Sequence, residues 1–148
     1  MGELTDDIGF LLSRASGLGV RTTNHALATH GLRVRQYSVL VLACDTPDGI
    51  SQRDLAQTLG LDPSQVVQLV DELADSGLVE RKPAPADRRT KLVAATDKGH
   101  SVRNEATKRA SAAMRKALLA LTDDEEDTLR ALLKRVVLSE AGEESAGA

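Results

Sequence analysis

Residues 76–99 constrain the fold of this chain more than any other segment. Gly77 can end a helix in the left-handed conformation, and two short apolar runs follow it, around Leu78 and Leu92. A turn with two prolines and a group of cations separates these runs. The segment therefore predicts an antiparallel β-hairpin over 78–95, with a stiff and basic tip.

Two short amphipathic helices are predicted immediately before this hairpin. Ser51 and Asp62 each begin a capping box, and Gly60 separates the two helical patterns. A helix-turn-helix followed by a basic hairpin is an arrangement that places one helix in a DNA groove and grips the backbone beside it. The winged helix-turn-helix is expected over about residues 34–95.

The remaining segments are predicted to be helical, over about 5–30 and 97–138, with a flexible acidic tail at 141–148. Residues 34–44 are rich in β-branched side chains, so a buried strand is an alternative there, although length and flanking helices favour a buried helix. Aromatic residues make up 1% of the chain. The core must therefore be aliphatic, and the predicted fold class is mainly α with a small β-hairpin.

The charge distribution is more informative than the net charge of −3. Cations are concentrated in residues 81–91, whereas residues 122–148 are predominantly acidic. The scarcity of aromatic side chains argues against binding modes in which single-stranded bases stack on the protein. Double-stranded DNA is the predicted nucleic-acid partner.

The sequence carries no pattern typical of an enzyme, a metal site or a cofactor site. Its three histidines are scattered, and the acidic cluster at 123–127 is expected to be the first turn of a helix. The beginning of the chain does not resemble a signal peptide, and no apolar run is long enough to cross a bilayer. We therefore expect a cytoplasmic protein that is not an enzyme and has no membrane partner.

Candidate DNA contacts lie on the second helix of the pair and on the hairpin. A glutamine amide can bond adenine N6 and N7 together; the alternative is a solvated face on which Gln65 only closes its cap. The predicted contacts are Arg53, Ser64, Gln65, Gln68, Arg88, Arg89 and Lys91. For Arg81, DNA contact and a structural ion pair remain equal alternatives.

A series of short motifs resembles the MarR family of winged helix-turn-helix regulators, over most of a single domain at 1–148. The motifs are His30-Gly31-Leu32, Gln36-Tyr37-Ser38-Val39-Leu40, Ser51-Gln52-Arg53-Asp54-Leu55-Ala56, Leu69-Val70-Asp71-Glu72-Leu73, Gly77-Leu78-Val79-Glu80-Arg81, Asp87-Arg88-Arg89 and Thr96-Asp97-Lys98-Gly99. The resemblance implies a two-fold dimer with interlocking first and last helices, a recognition helix at 62–76 and a wing at 78–95.

The resemblance also implies roles for individual residues. Arg89 would enter the minor groove, and Asp87 would orient it. Many family members release DNA when a small, often phenolic or anionic, molecule binds between the dimerisation and DNA-binding regions. The residues expected to line such a pocket are Arg14, His25, His30, Tyr37 and Met114.

The sequence departs from the family pattern at several positions. The recognition helix carries Gln68 and Glu72 where Arg or Lys is usual, Arg33 stands where a threonine usually caps a helix, and Ala95 replaces a leucine. We expect a homodimeric transcriptional repressor. The alternative is a winged-helix dimer that binds proteins or ligands without specific DNA binding.

Cys44, the only cysteine, is interpreted as a buried and inert thiol.

Overall fold

The computed structural model describes the backbone of residues 2–146 and the side chains of residues 2–139. Its helices are α1 (Gly2–Thr5), α2 (Ile8–Leu27), α3 (Val34–Asp45), α4 (Gln52–Leu59), α5 (Pro63–Asp75), α6 (Asp97–Ala117) and α7 (Asp123–Ala146). A 3₁₀ turn at Ala28–His30 follows α2, and the strands are β1 (Ile50–Ser51), β2 (Val79–Pro83) and β3 (Lys91–Ala95). The predicted class, mainly helical with a small β wing, is confirmed.

The apolar segment at 34–44 is a helix, not a strand, and it forms the centre of the core. Val39 and Leu40 of α3 are completely buried. Arg33 has no side-chain oxygen with which to cap α3 as a threonine would, but two other side chains accept from N–H groups at the beginning of the helix. Asn24 Oδ1, from α2, accepts from the Val34 N–H at 2.8 Å, and Gln36 Oε1 accepts from the Arg33 N–H at 2.9 Å. A contact from α2 thus satisfies one of the free N–H groups in the first turn of α3.

The helix-turn-helix forms as the capping pattern predicts. Ser51 Oγ accepts from the Asp54 N–H at 3.0 Å to begin α4, and Gly60 ends it with φ of 62°. Asp62 begins α5, with Pro63 in its first turn. The left-handed conformation at Gly60 turns the chain between the two helices without the strain that a side chain would add.

The hairpin belongs to a three-stranded antiparallel sheet with the order β1-β3-β2. Val93, in the central strand, lies opposite Ile50 on one side and Arg81 on the other, and it is completely buried. The short strand β1 was not predicted, because its two residues overlap the cap of α4 and carry no alternating pattern. It joins the base of the hairpin to the helix-turn-helix.

The outer helices differ from the prediction at their ends. The first predicted helix, 5–30, corresponds to α2 and the 3₁₀ turn and shares only Thr5 with α1, while the predicted helical segment 97–138 is divided between α6, which ends at Ala117, and α7. The backbone of α7 continues to Ala146, so no break separates a tail near residue 141. Residues 147–148, and the side chains from 140 onward, lie outside the described residues.

Among residues 2–146, no helix combines the length and the hydropathy needed to cross a membrane.

Helices α2 and α7 leave wide apolar faces uncovered in the single protomer. None of the side chains described in α7, residues 123–139, is buried. The large apolar side chains that remain exposed on the two helices are Ile8, Leu11, Leu12, Leu18, Val20, Leu132, Leu133, Val136, Val137 and Leu138. So much exposed aliphatic surface is typical of an interface with another chain.

Candidate nucleic-acid interface

The exposed face of α5 carries the predicted base-reading side chains. Ser64, Gln65 and Gln68 are all exposed, whereas the opposite face, with Val66, Val70 and Leu73, is completely or almost completely buried. The amphipathic pattern of the sequence therefore orients the helix as predicted. Its polar face is available to a partner in solution.

Gln65 is already engaged within its own helix. Its Oε1 accepts a hydrogen bond from the Asp62 N–H at 3.2 Å, which closes the capping box. A two-point contact with adenine needs the Oε1 atom as well as the Nε2 atom. Gln65 can make that contact only by giving up its cap, so its free Nε2 is the atom best placed to meet DNA.

Gln68 is held by its neighbour one turn along α5. Its Nε2 donates to Glu72 Oε1 at 3.3 Å, and Glu72 Oε2 accepts from Gln36 Nε2 at 2.6 Å. Glu72, which replaces a basic residue of the family pattern, therefore connects the exposed face of α5 with the beginning of α3. Neither this contact nor the role of Gln36 was predicted, since residues 36 apart give no local signal.

Arg81 fastens the hairpin to the helix-turn-helix. Its guanidinium donates to Asp71 Oδ1 at 2.6 Å and, through Nε, to Gln52 Oε1 at 3.1 Å. Both partners belong to the helices that the wing accompanies, α5 and α4. Of the two alternatives for Arg81, the structure shows the ion pair. The pair also neutralises the negative charge of Asp71 on α5.

The wing tip is a tight, exposed and basic turn over residues 84–90. The Ala84 N–H donates to the Thr90 carbonyl at 2.8 Å, and the Thr90 N–H donates to the Asp87 carbonyl at 3.0 Å. Arg88, Arg89 and Lys91 are exposed. Among the side chains of residues 2–139, no carboxylate forms an ion pair with any of these three cations.

Arg53 occupies an exposed position on α4, two residues after the Ser51 cap. Its guanidinium takes part in no ion pair with the carboxylates of residues 2–139. A free cation at the beginning of the first helix of the pair is suited to a phosphate contact. Its predicted role as a backbone contact stays a prediction.

The residues expected to form a ligand pocket are distributed over separate places. His25 lines a cleft of about 530 Å³ between α2 and α6, and Met114 lines a more apolar cleft of about 500 Å³ between α2, α6 and α7. Arg14 lines neither cleft. Tyr37 donates or accepts a 2.9 Å hydrogen bond with Thr107 Oγ1, and the Nε2 of half-buried His30 has no partner among the described atoms.

The cleft that contains His25 also has two cations that the sequence did not suggest. Arg21 and Lys116 line it together with Leu18, Thr22, Ala113 and Ala117. Cationic side chains above an apolar floor can bind an amphipathic anion. The positions belong to two helices far apart in sequence, so only their packing in space brings the charges together.

Cys44 lies at the end of α3 and is half-buried, not fully buried as predicted. Burial raises the pKa of its thiol above the ordinary value; Arg103 opposes this rise and Asp45 adds to it. A thiol that stays protonated near neutral pH is a poor nucleophile. This environment supports the interpretation of Cys44 as an inert side chain.

Comparison with known proteins connects these features to one family. Residues 30–90 match the sequence profile of the MarR family. The chain is 48% identical to CouR from Rhodococcus jostii RHA1, crystallised with p-coumaroyl-CoA, over 93% of this chain and 96% of that chain, with a TM-score of 0.85. It is 47% identical to a MarR-family transcriptional regulator from Rhodococcus sp. RHA1, over 93% and 98% of the two chains, with a TM-score of 0.87.

A structure with DNA is also similar. A second CouR chain, described as a transcriptional repressor and bound to a 23-mer DNA duplex, is 33% identical over 92% of this chain and 96% of that chain, with a TM-score of 0.84. The likeness in each case extends well beyond the helix-turn-helix, into the helices at both ends of the chain.

Proposed function

The chain belongs to the MarR family of transcriptional regulators, and from this premise we propose that it is a ligand-responsive repressor that binds a pseudo-palindromic operator as a homodimer. The observation that carries the proposal is the joint arrangement of α5 and the wing. Arg81 ties β2 to α4 and α5, while the wing tip presents cations that no described carboxylate neutralises. A similar chain, the CouR repressor that is 33% identical to this one, has a solved structure bound to a 23-mer DNA duplex.

We propose different roles for the two surfaces, the cationic wing and the exposed face of α5. Arg88, Arg89 and Lys91 contact phosphates and the minor groove, and Arg53 contacts the backbone beside α4. Ser64, Gln65 and Gln68 face the major groove. Contacts to the backbone position a protein on DNA, whereas contacts to base edges select the sequence. The side chains of α5 thus supply specificity, and the wing supplies most of the affinity.

The dimer is proposed from the uncovered apolar faces of α2 and α7. The domain boundaries expected from the sequence assign about 5–30 and 97–138 to dimerisation and 34–95 to DNA binding. An interface between such helices would bury the aliphatic side chains that the single protomer exposes. A two-fold dimer would then present two α5 helices to one duplex.

A small anionic molecule with an aromatic group is the proposed effector. The cleft of Arg21, His25 and Lys116 offers positive charge, and the cleft of Met114 offers apolar surface. CouR, at 48% identity, was crystallised with p-coumaroyl-CoA, which carries a phenolic group and phosphates. An aryl-CoA thioester is therefore the first compound to test.

The DNA-binding proposal is tested by selection from a randomised duplex pool followed by footprinting. We expect two protected half-sites about 10 base pairs apart, centre to centre, because one duplex turn brings both to the same face of the DNA. Protection of a single asymmetric half-site would contradict the proposal. Failure to retain any sequence would favour the alternative, a winged-helix dimer that binds proteins or ligands without specific DNA binding.

The effector proposal is tested separately, on the complex with the selected duplex. Addition of p-coumaroyl-CoA should release the DNA, whereas free CoA and free p-coumarate should do so only at much higher concentration. Arg21→Ala and Lys116→Ala should raise the concentration of thioester required. If the thioester leaves DNA affinity unchanged, this class of effector is wrong, although the DNA-binding proposal is unaffected.

A further inference from the structure

We infer that Glu72 is a positioning residue for sequence reading, because its carboxylate fixes the orientation of the Gln68 amide. The inference rests on the proposed function, in which the exposed face of α5 enters a DNA groove. It assigns a role to an acidic side chain at a position where the family pattern has a basic one.

The carboxylate of Glu72 is shared between two amides. Its Oε1 accepts from Gln68 Nε2 at 3.3 Å, and its Oε2 accepts from Gln36 Nε2 at 2.6 Å. Glu72 is itself only partly exposed, whereas Gln68 is exposed. Gln36 thus holds the Oε2 atom of the carboxylate, and the Oε1 atom is directed to Gln68.

The chemistry of the groups allows only one orientation of the Gln68 amide. A carboxylate is an acceptor only, so the NH₂ group of Gln68 must face it; a reversed amide would bring a carbonyl oxygen against a negative charge. Gln68 retains its carbonyl oxygen and one N–H for a further partner. These are the acceptor and the donor that N6 and N7 of adenine require.

Gln36 makes the arrangement rigid. Its Oε1 accepts from the Arg33 N–H at 2.9 Å, so the amide is engaged at both ends and belongs to the first turn of α3. Glu72 is therefore anchored to a neighbouring helix as well as to its own. A reading group that is ordered before binding loses less conformational entropy on contact with the base.

The test compares base preferences of purified variants in one randomised duplex pool. Glu72→Gln retains size and shape but replaces one acceptor oxygen with a donor group, so it cannot accept from both amides. Gln68→Ala removes the reading group. Asp75→Asn is the matched control, because it removes the same charge from an exposed position one turn further along α5. Thermal unfolding of each variant verifies that it is folded.

Wild type is expected to prefer adenine by about tenfold or more at one symmetry-related position of each half-site. Glu72→Gln and Gln68→Ala should both lower this preference below about threefold, and the double variant should be no worse than Gln68→Ala, since the two residues act through one contact. Asp75→Asn should retain the preference. Affinity for random DNA should rise similarly in Glu72→Gln and Asp75→Asn, because each loses one negative charge.

Two results would overturn the inference. In the first, Glu72→Gln selects the same bases with the discrimination of wild type, which would mean that Gln68 is oriented without the carboxylate. Alternatively, Gln68→Ala could leave the wild-type preference intact, in which case Gln68 reads no base. If wild type itself enriches no sequence, the proposed function has failed, and this outcome is distinct from the other two.

Discussion

Asp87 Oδ1 accepts a hydrogen bond from the backbone N–H of Arg89 at 3.0 Å, within the tip of the wing. The family resemblance implies that the aspartate orients the arginine. In this chain the carboxylate acts on the backbone of Arg89, and the side chain remains exposed. An Asx turn of this kind fixes the course of the tip before any partner binds.

Arg89→Ala is expected to weaken binding to all DNA sequences, most strongly where the minor groove is narrow and rich in A·T pairs. Such grooves concentrate negative potential, which attracts an inserted arginine. The slope of log affinity against log salt concentration should become shallower by about one to two units per dimer. The measurement is a titration of labelled duplex at several salt concentrations.

Lys108→Ala provides the control for this prediction. Lys108 is an exposed cation on α6, paired with Glu105 and outside both the wing and the helix-turn-helix. Its removal should leave the salt slope unchanged. An unchanged slope in Arg89→Ala itself would mean that the wing is only a structural hairpin.

Gln68→Ala is expected to have the opposite profile. It should cost about 1–3 kcal/mol of binding free energy at the selected operator and leave binding to random duplex nearly intact, because base contacts specify and backbone contacts position. Competition between operator and random duplex at constant salt measures both quantities. An equal loss on the two duplexes would remove Gln68 from the set of base-reading residues.

Leu133→Asp combined with Val136→Asp is expected to dissociate the dimer and unfold much of the chain. These side chains of α7 are exposed in the protomer, at 41% and 60%, and the prediction places them in the interface. Sedimentation equilibrium together with circular dichroism reports both effects, and Lys108→Asp serves as the charged control. A monomer of either wild type or this variant that is well folded at micromolar concentration would contradict the expectation that the chain folds stably only as a dimer.

The helix-turn-helix and the hairpin were predictable because their signals are local. Ser51 and Asp62 lie within three residues of the partners that complete their caps, and Gly60 and Gly77 mark the turns on which the topology depends. The aliphatic core of α3 followed from the near absence of aromatic residues, although its β-branched content alone would have suggested a strand. In each case the determinant and its effect lie within one or two helical turns.

The contacts that organise the candidate site were not predictable, because they join distant parts of the sequence. Gln36 and Glu72 are 36 residues apart, and Arg81 reaches Gln52 across 29 residues. The cap of α3 by Asn24 likewise depends on how two helices pack. Which of the expected ligand-pocket residues share a cleft likewise depends on how α2 packs against α6, and no local pattern encodes that packing.

Ionisation of the Cys44 thiol is expected to lower the free energy of unfolding at alkaline pH. Its pKa is raised in the folded state, chiefly by burial, so the folded protein holds this proton more tightly than the unfolded chain. The stabilising contribution is complete below the unfolded thiol pKa and is lost as pH rises through the folded pKa. The difference in unfolding free energy between wild type and Cys44→Ala should therefore shrink above about pH 9. Urea unfolding at several pH values measures it; a constant difference would contradict the assignment.

Gly99→Ala is expected to destabilise the protein by about 3 kcal/mol or more, which is severe for one methyl group. A Cβ at this position would lie 2.0 Å from the Leu78 carbonyl oxygen. That carbonyl cannot retreat easily, because it accepts from the Thr96 N–H at 3.0 Å and from Thr96 Oγ1 at 3.2 Å. The close approach of α6 to the beginning of β2 therefore depends on the missing side chain.

Gly19→Ala is the matched control, because it makes the same substitution within a helix but creates no steric clash with a neighbouring backbone. A Cβ at Gly19, within α2, would meet only Met114 Cε at 3.9 Å, an ordinary contact. This substitution should stabilise the protein by up to about 1 kcal/mol, since alanine is the better helix former. Urea unfolding at one protomer concentration measures both variants, because the proposed dimer would make apparent stability depend on concentration. If Gly99→Ala stayed within about 0.5 kcal/mol of wild type, α6 could shift away from Leu78, and the junction between α5, β2 and α6 would be less rigid than its hydrogen bonds indicate.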